Sequence, residues 1–165
     1  ATIYLSIGRI EWLKGFDQFI KMIPLLVKSW VDARYFIAGR DNGFKEELDK
    51  LIRELGVEDR VFYLWFIDWE EKLSALQNSH YLVVPSYTES FWITVLEAIA
   101  SWLLPVVNRV WGLKEIVKDN RNGRSIDFSN VNNYVHLMNC SIPKQSLQND
   151  IQQYNWEKIA IAYLS

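Results

Sequence analysis

Apolar and polar positions alternate along the chain in two rhythms. Short runs rich in β-branched and aromatic residues fall at Thr2 to Ile7, Arg34 to Ala38, Arg60 to Leu64, Tyr81 to Pro85 and Pro105 to Val107. Between them apolar residues recur at spacings of three and four, as in Phe19, Ile20, Ile23, Leu26 and Val27, and again in Leu48, Leu51, Ile52 and Leu55. The first rhythm is that of strands and the second that of amphipathic helices. Their alternation predicts an α/β domain with a parallel sheet of about five or six strands, covered by helices on both faces in a three-layer α/β/α sandwich. Asp41-Asn42-Gly43 and Asn122-Gly123 supply turn chemistry, and Gly56 follows Leu55 where a helix should stop. From Asn130 the pattern weakens into a polar stretch, with Pro143 opening a short helix and Trp156 to Leu164 forming a last one.

Length and charge narrow the function classes. A chain of 165 residues, half of them hydrophobic, buries one sizeable core, so residues 1–165 are expected to form one domain. The net charge of −2 comes from 18 basic and 20 acidic residues mixed along the chain. No basic run tracks a phosphate backbone, which argues against nucleic acid as a partner. Cys140 is alone and has no internal disulfide partner, and no apolar stretch has the length of a membrane span or the flanks of a signal peptide. A reducing cytoplasm is the expected location. The first apolar run opens at Ile3, which suggests a start at a domain boundary. His80 and His136 lie too far apart in sequence to suggest a metal pair, and both read as structural.

Strands this apolar are buried on both faces, so ligands are expected at the loops beyond their carboxyl ends. The first such loop, Gly8-Arg9-Ile10-Glu11-Trp12-Leu13-Lys14-Gly15, carries two cations that could grip a diphosphate or simply form a solvated surface pair. It lacks the glycine and lysine order of a P-loop and of a dinucleotide fingerprint. The fourth loop runs Pro85-Ser86-Tyr87-Thr88-Glu89-Ser90-Phe91-Trp92 into a helix that continues Ile93-Thr94-Val95-Leu96-Glu97-Ala98. The amides of Ile93 and Thr94 would point out of that helix's N-terminus toward an anion. Glu89 would sit in the mouth of a cleft, and Glu97 could accept hydrogen bonds from vicinal hydroxyls such as those of a ribose. A capped helix with a surface glutamate is the plainer alternative.

Taken together, Gly8-Arg9 with Lys14-Gly15, Ala38-Gly39, Pro-Ser-Tyr-x-Glu-x-Phe from Pro85 to Phe91 and Glu97-Ala98 resemble the C-terminal domain of family four retaining glycosyltransferases of GT-B architecture. Leu104-Pro105-Val106-Val107, Gly112 with Glu115-Ile116-Val117, and Asn122-Gly123 extend the match over about residues 2 to 128, and it returns at Tyr154 to Leu164. The resemblance implies a Rossmann-like donor domain whose N-terminal, acceptor-binding partner is absent, and which is inactive by itself. It implies that Arg9 and Lys14 bind the diphosphate of a nucleotide diphosphate sugar, that Glu89 contacts the transferred hexose and that Glu97 holds the ribose. The loop of Trp65, Phe66 and Ile67 would cradle the base, largely through backbone groups, and Gly8, Phe91, Trp92, Ile93 and Thr94 would complete the substrate site. Transfer would retain the anomeric configuration, with fixed cations and helix amides stabilising the departing diphosphate. No Asp-x-Asp motif occurs, in keeping with a metal-independent reaction and no cofactor. Membrane contact would arise only if the acceptor were a lipid.

One departure from the family pattern stands out: Trp65, Trp92, Trp102 and Trp111 occupy positions where the family usually has glycine. Their rings could fill neighbouring apolar surface. Alternatively they narrow the cleft and make the chain a degenerate, non-catalytic sugar-nucleotide or interaction module. A phosphoacceptor receiver domain ranks last, because Ile7-Gly8-Arg9 stands where such a protein needs carboxylates.

Overall fold

The computed structural model describes residues 1–88, 93–110 and 112–138. Its strands are β1 (Thr2–Ile7), β2 (Ala33–Ala38), β3 (Val61–Trp65), β4 (Tyr81–Val84), β5 (Leu104–Asn108) and β6 (Arg124–Ile126). They form one sheet of order β3-β2-β1-β4-β5-β6, parallel throughout. The helices are α1 (Phe16–Ile20), α2 (Ile23–Lys28), α3 (Lys45–Leu55), α4 (Trp69–Gln77), α5 (Ile93–Ala100), α6 (Leu113–Ile116) and α7 (Val135–Met138).

Alternation along each strand sends side chains to two separate cores. Tyr4, Tyr35, Ile37, Val83 and Val106 join Phe19, Ile23, Leu26, Leu48 and Ile52 from α1, α2 and α3. Leu5, Leu82, Leu104 and Val107 join Leu76, Val95, Leu96, Ile99 and Leu113 from α4, α5 and α6 on the other face. The expected three-layer Rossmann-like sandwich is therefore the fold. Phe19 anchors the first core with ring centroids 5.0 Å from Tyr4 and 4.6 Å from Tyr35, and a side chain buried to that degree contributes about 2–3 kcal/mol. A buried polar chain locks the central strands. The Tyr35 hydroxyl donates to Ser6 Oγ (2.7 Å), which donates to the Val83 carbonyl (2.5 Å).

Some details differ from expectation. The apolar periodicity from Phe19 to Val27 reads as one helix, but the chain forms α1 and α2 with a turn between them. Pro24, in the first turn of α2, has no N–H with which to continue α1's hydrogen bonding. Val27 is 37 % exposed rather than buried. Strand β6 is only three residues long, Arg-Ser-Ile, too short and polar to announce itself. His80 is structural, its Nδ1 accepting from the Ile3 amide at 3.0 Å. The helices expected after Pro143 and at Trp156 to Leu164, and Cys140, lie outside the described residues.

The order of the sheet fixes where a ligand belongs. From β1 the chain crosses to β2 on one side and later to β4 on the other, so the carboxyl ends of β1 and β4 flank a crevice no crossover covers.

Candidate functional site

The loops after β1 and β4 are braced against each other at this crevice. Gly15 has φ 65°, and a Cβ there would stand 2.2 Å from the Pro85 carbonyl oxygen, so only glycine allows the approach. Gln18 Nε2 donates to that same oxygen at 2.6 Å, and the Tyr87 amide donates to the Leu13 carbonyl at 2.9 Å. The result is a cavity of about 350 Å³ lined by Ile7, Gly8, Arg9, Lys14, Val84, Thr94 and Val95. Both cations singled out in the sequence thus meet the first turn of α5 in one concavity. The aliphatic stem of Lys14 crosses Gly8, where an added Cβ would be 3.5 Å from Lys14 Cε.

A second cavity of about 500 Å³ opens beside the first, beyond the carboxyl ends of β1 and β2. Ile7, Gly8 and Arg9 border both. Ala38 to Asn42, Phe66, Ile67 and Lys72 complete its lining. Arg9 Nη2 lies 3.2 Å from Glu11 Oε1, and Glu11 Oε2 accepts from Asn42 Nδ2 at 2.9 Å. The Arg9 side chain stays 69 % exposed, so its guanidinium is oriented yet reachable. The Arg40 guanidinium lies 4.5 Å from the centre of the Phe66 ring, a cation–π contact that stiffens the far wall. Trp65 turns elsewhere: its ring stacks on Tyr63 at 5.6 Å.

Asp41, also in this wall, accepts from the amides of Gly43, Phe44 and Lys45 through Oδ1 at 3.0–3.2 Å. Desolvation is the largest single influence on its carboxyl and would raise its pKa. The amides and the Lys45 ammonium together outweigh it and hold the pKa below the usual value.

Glu97 takes a partner that sequence reasoning missed. Its Oε2 lies 2.6 Å from Lys72 Nζ, with side-chain exposures of 12 % and 16 %. Lys72 is placed by α4, whose start is set by a capping box: Asp68 Oδ1 accepts from the Glu71 amide at 2.8 Å and Glu71 Oε2 from the Asp68 amide at 2.9 Å. One turn further on, Lys72 reaches both the cavity and Glu97. Asp68-x-x-Glu71 was legible in the sequence, and Lys72 is the one cation of α4. The missing information was the proximity of α4 to α5. Asn108 was missed too. Buried at the end of β5, it donates to the Ser86 carbonyl at 3.0 Å and accepts from the Phe128 amide at 3.3 Å, fixing the loop after β4.

The structure therefore brings Gly8, Arg9, Lys14 and Thr94 to one cavity, and places Phe66 in the wall of its neighbour. Ile93 opens α5, and Glu97 lies farther along the same helix. Glu89, Phe91 and Trp92 lie outside the described residues. Among the described residues no three His, Cys, Asp or Glu side chains gather as a metal ion would require, and no helix is long and apolar enough to cross a membrane.

A parallel six-stranded sheet covered by helices on both faces, with cationic loops at its switch point, defines a Rossmann-like α/β class. Residues 1–158 match the family model described as glycosyl transferases group 1, and the chain belongs to that family. It is 33 % identical to an uncharacterised glycosyltransferase, MJ1607, of Methanocaldococcus jannaschii, over 72 % of this chain and 30 % of that protein. It is 28 % identical to the D-inositol 3-phosphate glycosyltransferase of an Arthrobacter species, over 94 % of this chain and 40 % of the relative. The chain thus spans less than half the length of these relatives. Among solved structures, TarM of S. aureus, crystallised with UDP, superposes with TM-score 0.83 at 24 % identity, covering 99 % of this chain and 34 % of TarM. Sucrose-phosphate synthase of Thermosynechococcus elongatus gives 0.81 at 22 % identity, covering 98 % of this chain and 43 % of that enzyme. The fold is that of the C-terminal domain of a GT-B glycosyltransferase.

Proposed function

We propose that the chain is the donor-binding half of a retaining, family four hexosyltransferase, which holds a nucleotide diphosphate sugar for transfer to an acceptor supplied on a separate N-terminal domain. The observation that carries this is the convergence of Arg9, Lys14 and the first turn of α5 on one cavity at the switch point. Cleavage of the bond between the anomeric carbon and the diphosphate leaves negative charge on the leaving group. Arg9 and Lys14 would neutralise it, and the amides at the start of α5 would add their dipole. Two such cations take the place of a metal, so the reaction is metal-independent. Glu89 would contact the hexose, and Glu97, held by Lys72, would accept from ribose hydroxyls. The neighbouring cavity with Phe66 and Arg40 suits a planar base. The protein works in the cytoplasm, without nucleic acid, and meets a membrane only through a lipid acceptor. Residues 1–165 by themselves are expected to bind donor without turnover, because the acceptor site would lie on that other domain.

Calorimetric titration with UDP, GDP and ADP tests this. One of them is expected to bind at micromolar to millimolar concentration, unaffected by EDTA. Arg9→Ala and Lys14→Ala are each expected to weaken it roughly 10-fold, since a charge-assisted hydrogen bond contributes about 1.5–3 kcal/mol and Arg9 is solvent-accessible. No heat from any of the three, or unchanged affinity in both variants, would overturn the assignment.

A further inference from the structure

Three tryptophans adopt a backbone that belongs to glycine. Among the described residues, the non-glycine positions with positive φ are Trp30 (66°), Trp65 (59°), Trp102 (64°) and Asn120 (60°). Asparagine visits this region readily, whereas a bulky side chain there is a strained outlier.

The surroundings repeat a glycine motif bond for bond. After α3, the Gly56 amide donates to the Arg53 carbonyl and the Val57 amide to the Ile52 carbonyl, with Gly56 at φ 64°. After α2, the Trp30 amide donates to Val27 and the Val31 amide to Leu26. After α5, the Trp102 amide donates to Ile99 and the Leu103 amide to Ala98. All three are Schellman caps, whose left-handed residue is usually glycine. Trp65 sits where the pairing of β2 with β3 slips, Ile37 facing Tyr63 and Ala38 facing Trp65, a bulge position that also favours left-handed glycine.

Ring burial does not compensate. Trp30 is 97 % exposed, Trp65 49 % and Trp102 41 %. Trp12 and Trp69, by contrast, lie in ordinary helical turns. The composition leans the same way: seven glycines and eight tryptophans in 165 residues, where glycine alone usually makes up about 7 %. Trp92 and Trp111 also stand where the family resemblance has glycine.

We propose that the codon rendered as tryptophan at positions 30, 65 and 102 is one the source cell decodes as glycine, and that the working protein carries glycine there. UGA fits, because it is a stop signal in the standard code, tryptophan in some cells and glycine in others. The same decoding extends to positions 92 and 111. It removes the case for a cleft blocked by indole rings, since that case rested on these residues. Backbone geometry carries the inference independently of any donor.

Two measurements test it. The gene should show UGA at positions 30, 65 and 102 and UGG at 12 and 69; UGG at any of the first three, or UGA at all five, overturns it. In the expressed chain, the combined Trp30→Gly, Trp65→Gly and Trp102→Gly variant should melt roughly 6 °C or more above the sequence as written, at about 2–4 °C per relieved site. Trp69→Gly, in a helix, should not raise the melting temperature. A triple variant that melts at or below the parent overturns the glycine assignment.

Discussion

Replacing Lys72 with methionine keeps most of the side-chain volume and deletes the ammonium from a pair whose members are only 16 % and 12 % exposed. At a separation of 2.6 Å the gross attraction is about 6 kcal/mol for an effective dielectric of about 20. Desolvation of both groups offsets much of it, leaving a net coupling of about 2 kcal/mol. Lys72→Met should therefore destabilise the chain by about 2–3 kcal/mol, chiefly because the Glu97 carboxylate is left mostly buried without its cation. Glu97→Gln should cost about 2 kcal/mol by taking the carboxylate from a mostly buried ammonium. The double variant should cost about 2 kcal/mol less than the two single costs added together. Urea unfolding reads all four proteins, with the m-value confirming that the same transition is compared. Additivity to within about 0.5 kcal/mol would show that the pair is not coupled, and the assignment of Lys72 as the residue that orients Glu97 would fall.

Asp41→Asn should lower stability at neutral pH and flatten the acid limb of the stability profile. The folded-state pKa of Asp41 is depressed, so its contribution is present above the unfolded value near 4 and is lost as pH falls through the folded one. Thermal melts from pH 2 to 7 would show the difference, and parallel curves for parent and variant would refute it. Asn108→Ala removes the bonds to the Ser86 carbonyl and the Phe128 amide and should cost about 2 kcal/mol, read by the same melts. A loss under about 0.5 kcal/mol would show that the loop after β4 is held by other contacts.

Much of this architecture could be read in the sequence because it is local. Period-two and period-three-to-four patterning marked β1 to β5 and the larger helices, and Gly56 and Asp41-Asn42-Gly43 marked turns between them. Arg9 and Lys14 were legible because a cation in a loop that follows an apolar strand must lie at the carboxyl edge of the sheet. What escaped was pairwise and non-local. The link between Lys72 and Glu97 joins two helices through tertiary packing, and Asn108 acts on a loop 22 positions away. Neither leaves a periodic trace. Trp65 and Trp102 stand out in the sequence as departures from a family pattern and Trp30 does not, whereas φ values, two helix caps and one slipped strand pairing put all three in the backbone region of glycine.

Arg9 borders both cavities, and this position constrains the proposed donor site more tightly than either cavity does. Under that proposal, the diphosphate lies at the seam, with the nucleoside in the cavity walled by Phe66 and the sugar toward the loop after β4. The diphosphate is common to every donor, whatever its base. Arg9→Ala should then weaken UDP, GDP and ADP by the same factor, roughly 10-fold, leaving their order of preference unchanged. Phe66→Ala touches the base side, and would change the affinity without altering the factor lost on Arg9→Ala, because the two contacts fall on separate parts of the ligand. Calorimetry on the four proteins of that cycle with each nucleotide settles the geometry. If Arg9→Ala reordered the three nucleotides, the guanidinium would be reading the base, and the diphosphate would have to lie elsewhere.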